Sequence, residues 1–309
     1  MKRRDFFKAS AAVGVAALTF DKLQAAINTN TIMAEAVPDM VAVMGGEPAQ
    51  LLERALTEMG GIGKYVKKGQ SVVIKPNIGW DKKPEFAANT NPDLVEALVK
   101  QCFNAGAKKV TVFDRTCDNW QKCYERSGIK KAAESAGATV LPAHDESYFK
   151  EVSIPKGVQL KTAKIHKALL EADVWFNVPV LKNHDGAQMS IAMKNYMGIV
   201  FDRGFFHAND LQQCIADICT WNKKPALNII DAYRCLRRSG PQGRSVSDTS
   251  VLKTLIISTD IVAADTAAIG LFNQVEKMDI QLVKHIANGE KLKLGTQKLD
   301  TLNVKRVKL

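Results

Sequence analysis

The sequence predicts an α/β fold, a mostly parallel sheet with helices on both faces, and leaves room for a small subdomain joined near residues 143–163. Three observations carry this. Short runs of strand composition alternate with stretches of helical spacing, the order that builds a parallel sheet covered on both sides. The strand runs are apolar throughout rather than alternating, as in strands buried on both faces. Polar residues stand just past the ends of those runs, where an open parallel sheet forms its ligand crevice.

In chain order, Met40-Val41-Ala42-Val43-Met44 reads as a strand and residues 48–59 as a helix, with Leu51, Leu52, Ala55, Leu56 and Met59 on its apolar face and Gly60-Gly61 ending it. Ser71-Val72-Val73-Ile74 is a short buried strand stopped by Lys75-Pro76-Asn77. Asn91 caps a helix with Pro92 in its first turn and Leu94, Val95, Leu98 and Val99 facing inward; Gly106 ends it. A strand at 110–114, a helix near 128–136 and a strand near 138–141 follow. Downstream, strands are expected at 174–178, 227–230 and 255–257. Helices are expected at 188–197, around Leu211, Ile215 and Ile218, and at 261–272.

The first residues have a different character. Met1-Lys2-Arg3-Arg4-Asp5-Phe6-Phe7-Lys8 is basic, Ala9 to Phe20 is apolar but too short to span a membrane, and the small residues Ala34-Glu35-Ala36 follow. The paired arginines before Asp-Phe-Phe are similar to the twin-arginine export consensus. Residues 1–36 are therefore expected to be a twin-arginine signal peptide cut after Ala36, with the Ala25/Ala26 bond as the alternative. Residues 37–309 would then form a single periplasmic α/β domain without a membrane span, and the translocation machinery would be a partner.

The formal net charge of +11 favours anionic partners, and export argues against nucleic acid. Six cysteines carry no C-x-x-C, so neither a ferredoxin-type cluster motif nor a c-type haem motif is present; a Cys117–Cys123 bridge is compatible with the spacing. A glycine-rich stretch at 60–65 fails as a phosphate loop, because Tyr65 replaces Ser/Thr and a strand follows where a helix is required.

The strand-end residues are Lys75 and Asn77, Asp114 and Arg115, Lys182 and His184, Asp231, and Asp260. The densest group lies in residues 179–198, where Lys182-Asn183-His184 is expected in a turn before a helix whose free amides would bind an anion beside Lys182 and Lys194. His184 and His207 are the candidate proton-transfer residues. Alternatively His184 and His207 hold a metal with Asp231 or Asp265.

Several segments together resemble the bacterial and archaeal family called domain of unknown function 362: Ile74-Lys75-Pro76-Asn77, Thr90-Asn91-Pro92, Ala105-Gly106-Ala107 before Asp114, Pro179 to His184, Lys194-Asn195-Tyr196-Met197-Gly198, His207, Ala216-Asp217-Ile218, Asp231-Ala232, Gly240-Pro241, and Asp260 to Asp265. The resemblance runs from about residue 40 to about 275. It implies a site containing Lys75, Asn77, Lys182, His184, Lys194, Asn195 and His207. Some relatives carry an added iron–sulfur module, implying redox settings; no such module is expected in this chain. Asn183 departs from the threonine common in that turn.

The expected function is an exported enzyme, redox-linked in one version, that acts on a small anionic substrate or holds a cofactor in a strand-end crevice. His184, His207 and Lys182 would be catalytic. Lys75, Asn77, Lys194, Asn195 and Asp231 would bind substrate. The competing expectation is a non-catalytic periplasmic ligand- or metal-binding accessory protein.

Overall fold

The computed structural model describes residues 36–309. Of the expected signal peptide, residues 1–35 lie outside the described residues. The elements in order are β1 (Met40–Met44), α1 (Pro48–Glu58), β2 (Ser71–Pro76), α2 (Pro92–Asn104), β3 (Lys109–Val112), α3 (Trp120–Arg126), α4 (Ile129–Ser135), β4 (Thr139–Val140), β5 (Phe149–Ser153), β6 (Thr162–His166), α5 (Lys167–Glu171) and β7 (Val174–Val178). Then come β8 (Val180–His184), β9 (Gln188–Ser190), α6 (Ala192–Asn195), α7 (Gly204–Ala208), α8 (Leu211–Ile218), β10 (Leu227–Leu236), β11 (Thr249–Ser258), α9 (Ile261–Phe272), α10 (Lys284–Lys291) and β12 (Val304–Lys308).

The main sheet has the order β12-β1-β11-β10-β7-β2-β3-β4, with β8 and β9 attached beside β10. Strands β10, β7, β2, β3 and β4 are parallel neighbours, whereas β11 runs against both β1 and β10. The mostly parallel α/β architecture is therefore present. Each central strand feeds both faces, as its period of two requires. Val73, Phe113, Trp175, Ile230 and Ile256 join a core that includes Val262 and Ile269 of α9 and Ile215 of α8. Val72, Val112, Phe176, Ile229 and Ile257 join the opposite core with Leu51 of α1 and Leu94 and Leu98 of α2. The Asn91 side chain caps α2 by accepting from Asp93 N.

Local structure departs from expectation in one functionally important place. Residues 188–197 are not one helix: Gln188–Ser190 pairs antiparallel with Lys182–His184, and the helix α6 spans only Ala192–Asn195. Met189, Ile191 and Met193 alternate as well as they fit a helix, so the short apolar run does not choose by itself. The backbone of β8 supplies hydrogen-bond partners that decide for a strand. Lys182 and His184 therefore sit on a strand rather than in a turn. Residues 149–166 contribute the separate two-stranded sheet of β5 and β6. All six cysteines are free, so Cys117 and Cys123 are not bridged.

Candidate functional site

The chain leaves β2 toward β3 and β4 on one side and returns to β7 on the other. The loops leaving β2 and β7 consequently diverge, which opens a crevice beyond their carboxyl ends. Asn77 follows β2, Asp114, Arg115 and Cys117 follow β3, and Lys182 and His184 come from β8; all line one hollow with Lys194, Asn195 and Arg203. Its cavity volume is about 40 Å³, and it opens to solvent.

The floor is a buried ion pair. Lys75 is fully buried, and its Nζ lies 2.9 Å from Asp114 Oδ1 and donates to Asn195 Oδ1 at 2.6 Å. Asp114 Oδ2 also accepts from Ile78 N at 2.6 Å, which ties the β2 loop to the β3 loop. Burial lowers the Lys75 pKa, and the Asp114 carboxylate opposes that shift. A close backbone approach makes room for the pair: a Cβ on Gly198 would stand 1.8 Å from Asp114 Oδ1 and 2.5 Å from Lys75 Nζ. An amide chain continues beneath the sheet end, with Asn195 Nδ2 donating to Asn177 Oδ1 at 2.8 Å and Asn177 Nδ2 to Asn228 Oδ1 at 2.9 Å. Each buried amide is thereby satisfied and held in one orientation.

Above the floor, Lys182 is 1% exposed. Its Nζ donates to Asn77 Oδ1 at 3.0 Å and to Ala88 O at 2.5 Å, so an ammonium there keeps one proton for a ligand. Burial, aided by the charge of Lys194, lowers its pKa to about 7, although Cys117 and Asp114 oppose the shift. Lys194, on α6, is partly buried; its side chain makes no hydrogen bond or ion pair with another described residue, and burial lowers its pKa to about 8. His184 Nδ1 accepts from Ala187 N at 3.2 Å. Asp185 Oδ1 stands at the same distance from Nδ1. Ala187 is fully buried and its N–H needs an acceptor, whereas Asp185 is exposed to water. This places the ring proton on Nε2. Burial and the two lysine charges hold the His184 pKa down to about 2, so the ring is neutral.

Residues 72–270 match the family described as Domain of unknown function (DUF362). The chain belongs to this family. The matched span contains every residue that lines the crevice. The DUF362 chain is also 22% identical over 244 residues to the thylakoid-associated protein sll1697 of Synechocystis, covering 74% of each chain.

Within this DUF362 site, the structure brings together Lys75, Asn77, Lys182, His184, Lys194 and Asn195, leaves His207 outside the lining but near it, and engages Asp231 and Asp265 elsewhere. His207 is exposed on α7 and does not line the crevice, but it interacts electrostatically with His184, Lys194 and Arg203, which do. Asp231 lies on β10 facing a different hollow, where it accepts from Asn91 N at 2.7 Å and Tyr233 N at 3.0 Å; burial raises its pKa to about 6. Asp265 takes the first amides of α6, accepting from Ala192 N at 2.7 Å and Met193 N at 3.0 Å. The expected helix-terminus anion site is thus already filled by a carboxylate of the chain itself. The grouping of His184, His207 and Asp265 as metal ligands does not assemble, and among the described residues no group of three His, Cys, Asp or Glu could hold a metal ion.

Sequence reasoning missed Arg203, Cys117 as a lining residue, and His285. Arg203 follows no strand; it reaches the crevice by bracing the β3 loop through Arg115 O at 3.1 Å and Thr116 O at 2.5 Å. His285 is fully buried on α10, with Nδ1 2.6 Å from Gln212 Oε1 and Nε2 without a hydrogen-bond partner among the described residues. No motif marks either position.

Proposed function

We propose that the crevice binds a small anion, a phosphate or carboxylate group carried by a small molecule. The observation that carries this reading is the charge balance of the lining. Lys182, Lys194, Arg115 and Arg203 converge there against one carboxylate, Asp114, which Lys75 already neutralises. The Lys194 amine has no hydrogen-bond or ion-pair partner among the described residues, so an anion supplies what the fold omits. His184 adds a neutral Nε2–H donor, and Asn77 holds Lys182 in place. Calorimetric titration of inorganic phosphate into wild type, Lys182→Ala and Lys194→Ala tests the reading. Saturable binding that both substitutions weaken supports it, and undiminished binding in both refutes it.

The enzymatic version assigns proton transfer to Lys182, whose amine titrates near neutrality, and not to His184, which burial keeps neutral. Its reaction class is acid–base chemistry beside a bound anion. The accessory version, a ligand carrier without turnover, is favoured by the double tether of Lys182 to Asn77 and Ala88, which holds the amine rather than freeing it. Release of a chemically altered ligand from the purified protein separates the two.

The export route is also part of the proposal, because residues 1–36 have the order of a twin-arginine leader. Among the described residues no helix is long and apolar enough to cross a membrane. Replacing Arg3-Arg4 by two lysines is expected to retain the protein in the cytoplasm; unchanged periplasmic recovery refutes the route.

A further inference from the structure

We propose that Cys117 is the nucleophile of this crevice toward small anionic electrophiles, an inference that rests on the anion-site reading above. Cys117 is the exposed cysteine, whereas Cys102, Cys123, Cys214, Cys219 and Cys235 are buried. It lines the crevice together with Lys182, Lys194, Arg115 and Arg203. Arg203 Nη1 stands 3.3 Å from Cys117 Sγ and donates to it, while the same guanidinium grips the carbonyls of Arg115 and Thr116. Cys117 N donates to Gly79 O at 2.8 Å, so the residue is fixed at both its backbone and its sulfur. An accessible thiol in an electropositive setting is where reactive cysteines are found.

The competing uses of this sulfur fit less well. A metal site lacks its ligands, since no group of three His, Cys, Asp or Glu is assembled among the described residues. An internal disulfide lacks an accessible partner. Cys123 is buried with Sγ 3.7 Å from Gly79 O, and burial pushes its thiol up to about 12. What remains is an external electrophile, and the cations beside the sulfur select one that carries negative charge. Sγ then forms one bond to the electrophilic carbon or sulfur. The leaving group departs with the electron pair of the bond that breaks, and the thiol proton passes to water. Lys194, unpartnered in the same lining, holds the anionic end of the electrophile.

Iodoacetate and iodoacetamide are the probes: equal in reaction, different in charge. The folded chain at pH 7 is expected to be modified at Cys117, mapped by mass spectrometry. Its iodoacetate-to-iodoacetamide rate ratio should exceed that of the urea-unfolded chain by about tenfold, at the lower end of electrostatic rate effects. Inorganic phosphate should slow the iodoacetate reaction, and Arg203→Gln and Lys194→Met should each lower the ratio. A ratio equal to that of the unfolded chain, or modification at a buried cysteine first, overturns the inference. Phosphate titration into Cys117→Ser is the separate control. Binding that persists beside an unselective thiol sinks the nucleophile alone, and no phosphate binding sinks the anion site itself.

Discussion

Sulfate affinity should collapse between pH 6 and pH 9, because the two lysines that line the crevice lose their protons there. Sulfate is fully ionised throughout this range, so any change comes from the protein. Burial sets Lys182 at about 7 and Lys194 at about 8. If binding requires both ammoniums, affinity follows the product of their protonated fractions. That product falls from about 0.9 at pH 6 to about 0.001 at pH 9, a loss of about a thousandfold. Lys182→Met removes the lower step and leaves a loss of about tenfold over the same range. Isothermal titration at half-unit pH intervals measures both curves. The ligand-free fold behaves oppositely. The folded chain holds Lys182 below its ordinary 10.5, so it binds fewer protons than the unfolded chain between about 7 and 10.5. The contribution of this residue to stability therefore rises with pH across that window. The increase in Tm produced by sulfate should shrink as pH rises. A sulfate Kd that is flat from pH 6 to pH 9 refutes the argument that these two amines carry the anion.

Three further expectations concern the scaffold. Lys75→Met leaves Asp114 as an uncompensated buried charge and should cost about 3–5 kcal/mol in urea unfolding; the double variant Lys75→Met/Asp114→Asn should recover part of that loss. Gly198→Ala forces a methyl group to within 1.8 Å of Asp114 Oδ1 and is expected to destabilise by about as much, with anion binding lost in any folded fraction; wild-type stability and affinity would contradict the close approach. Asp265 has its pKa raised from 3.8 to about 7 by burial, so the folded chain binds more protons than the unfolded chain between those values and the stability contribution of this group falls as pH rises through them. Asp265→Asn should flatten that slope in pH-dependent unfolding while weakening the start of α6, and an unchanged slope would count against the assignment.

Much of the fold was readable because it depends on local pattern. The apolar strands at 40–44, 71–74 and 174–178, the Asn91 cap and the 261–272 helix need only periodicity and capping chemistry, which neighbouring residues encode. The strand-end rule likewise found Lys75, Asn77, Asp114 and Lys182, because topology places such residues on one edge. Residues 188–197 were misread because two periods fit the same short apolar run, and pairing with β8 decided between them.

The sequence by itself determined an α/β chain with a basic surface, two-sided apolar strands and polar strand ends. Tertiary structure alone decided which polar residues share a site. It brought Arg203 and Cys117 to the crevice from segments that carry no motif, placed His207 on the surface, sent Asp231 to another hollow and spent Asp265 on the amides of α6. The physical reason is that charge placement and desolvation are set by three-dimensional neighbours. Lys182 titrates near neutrality because the fold buries it among other cations, a property that its place in the chain does not carry.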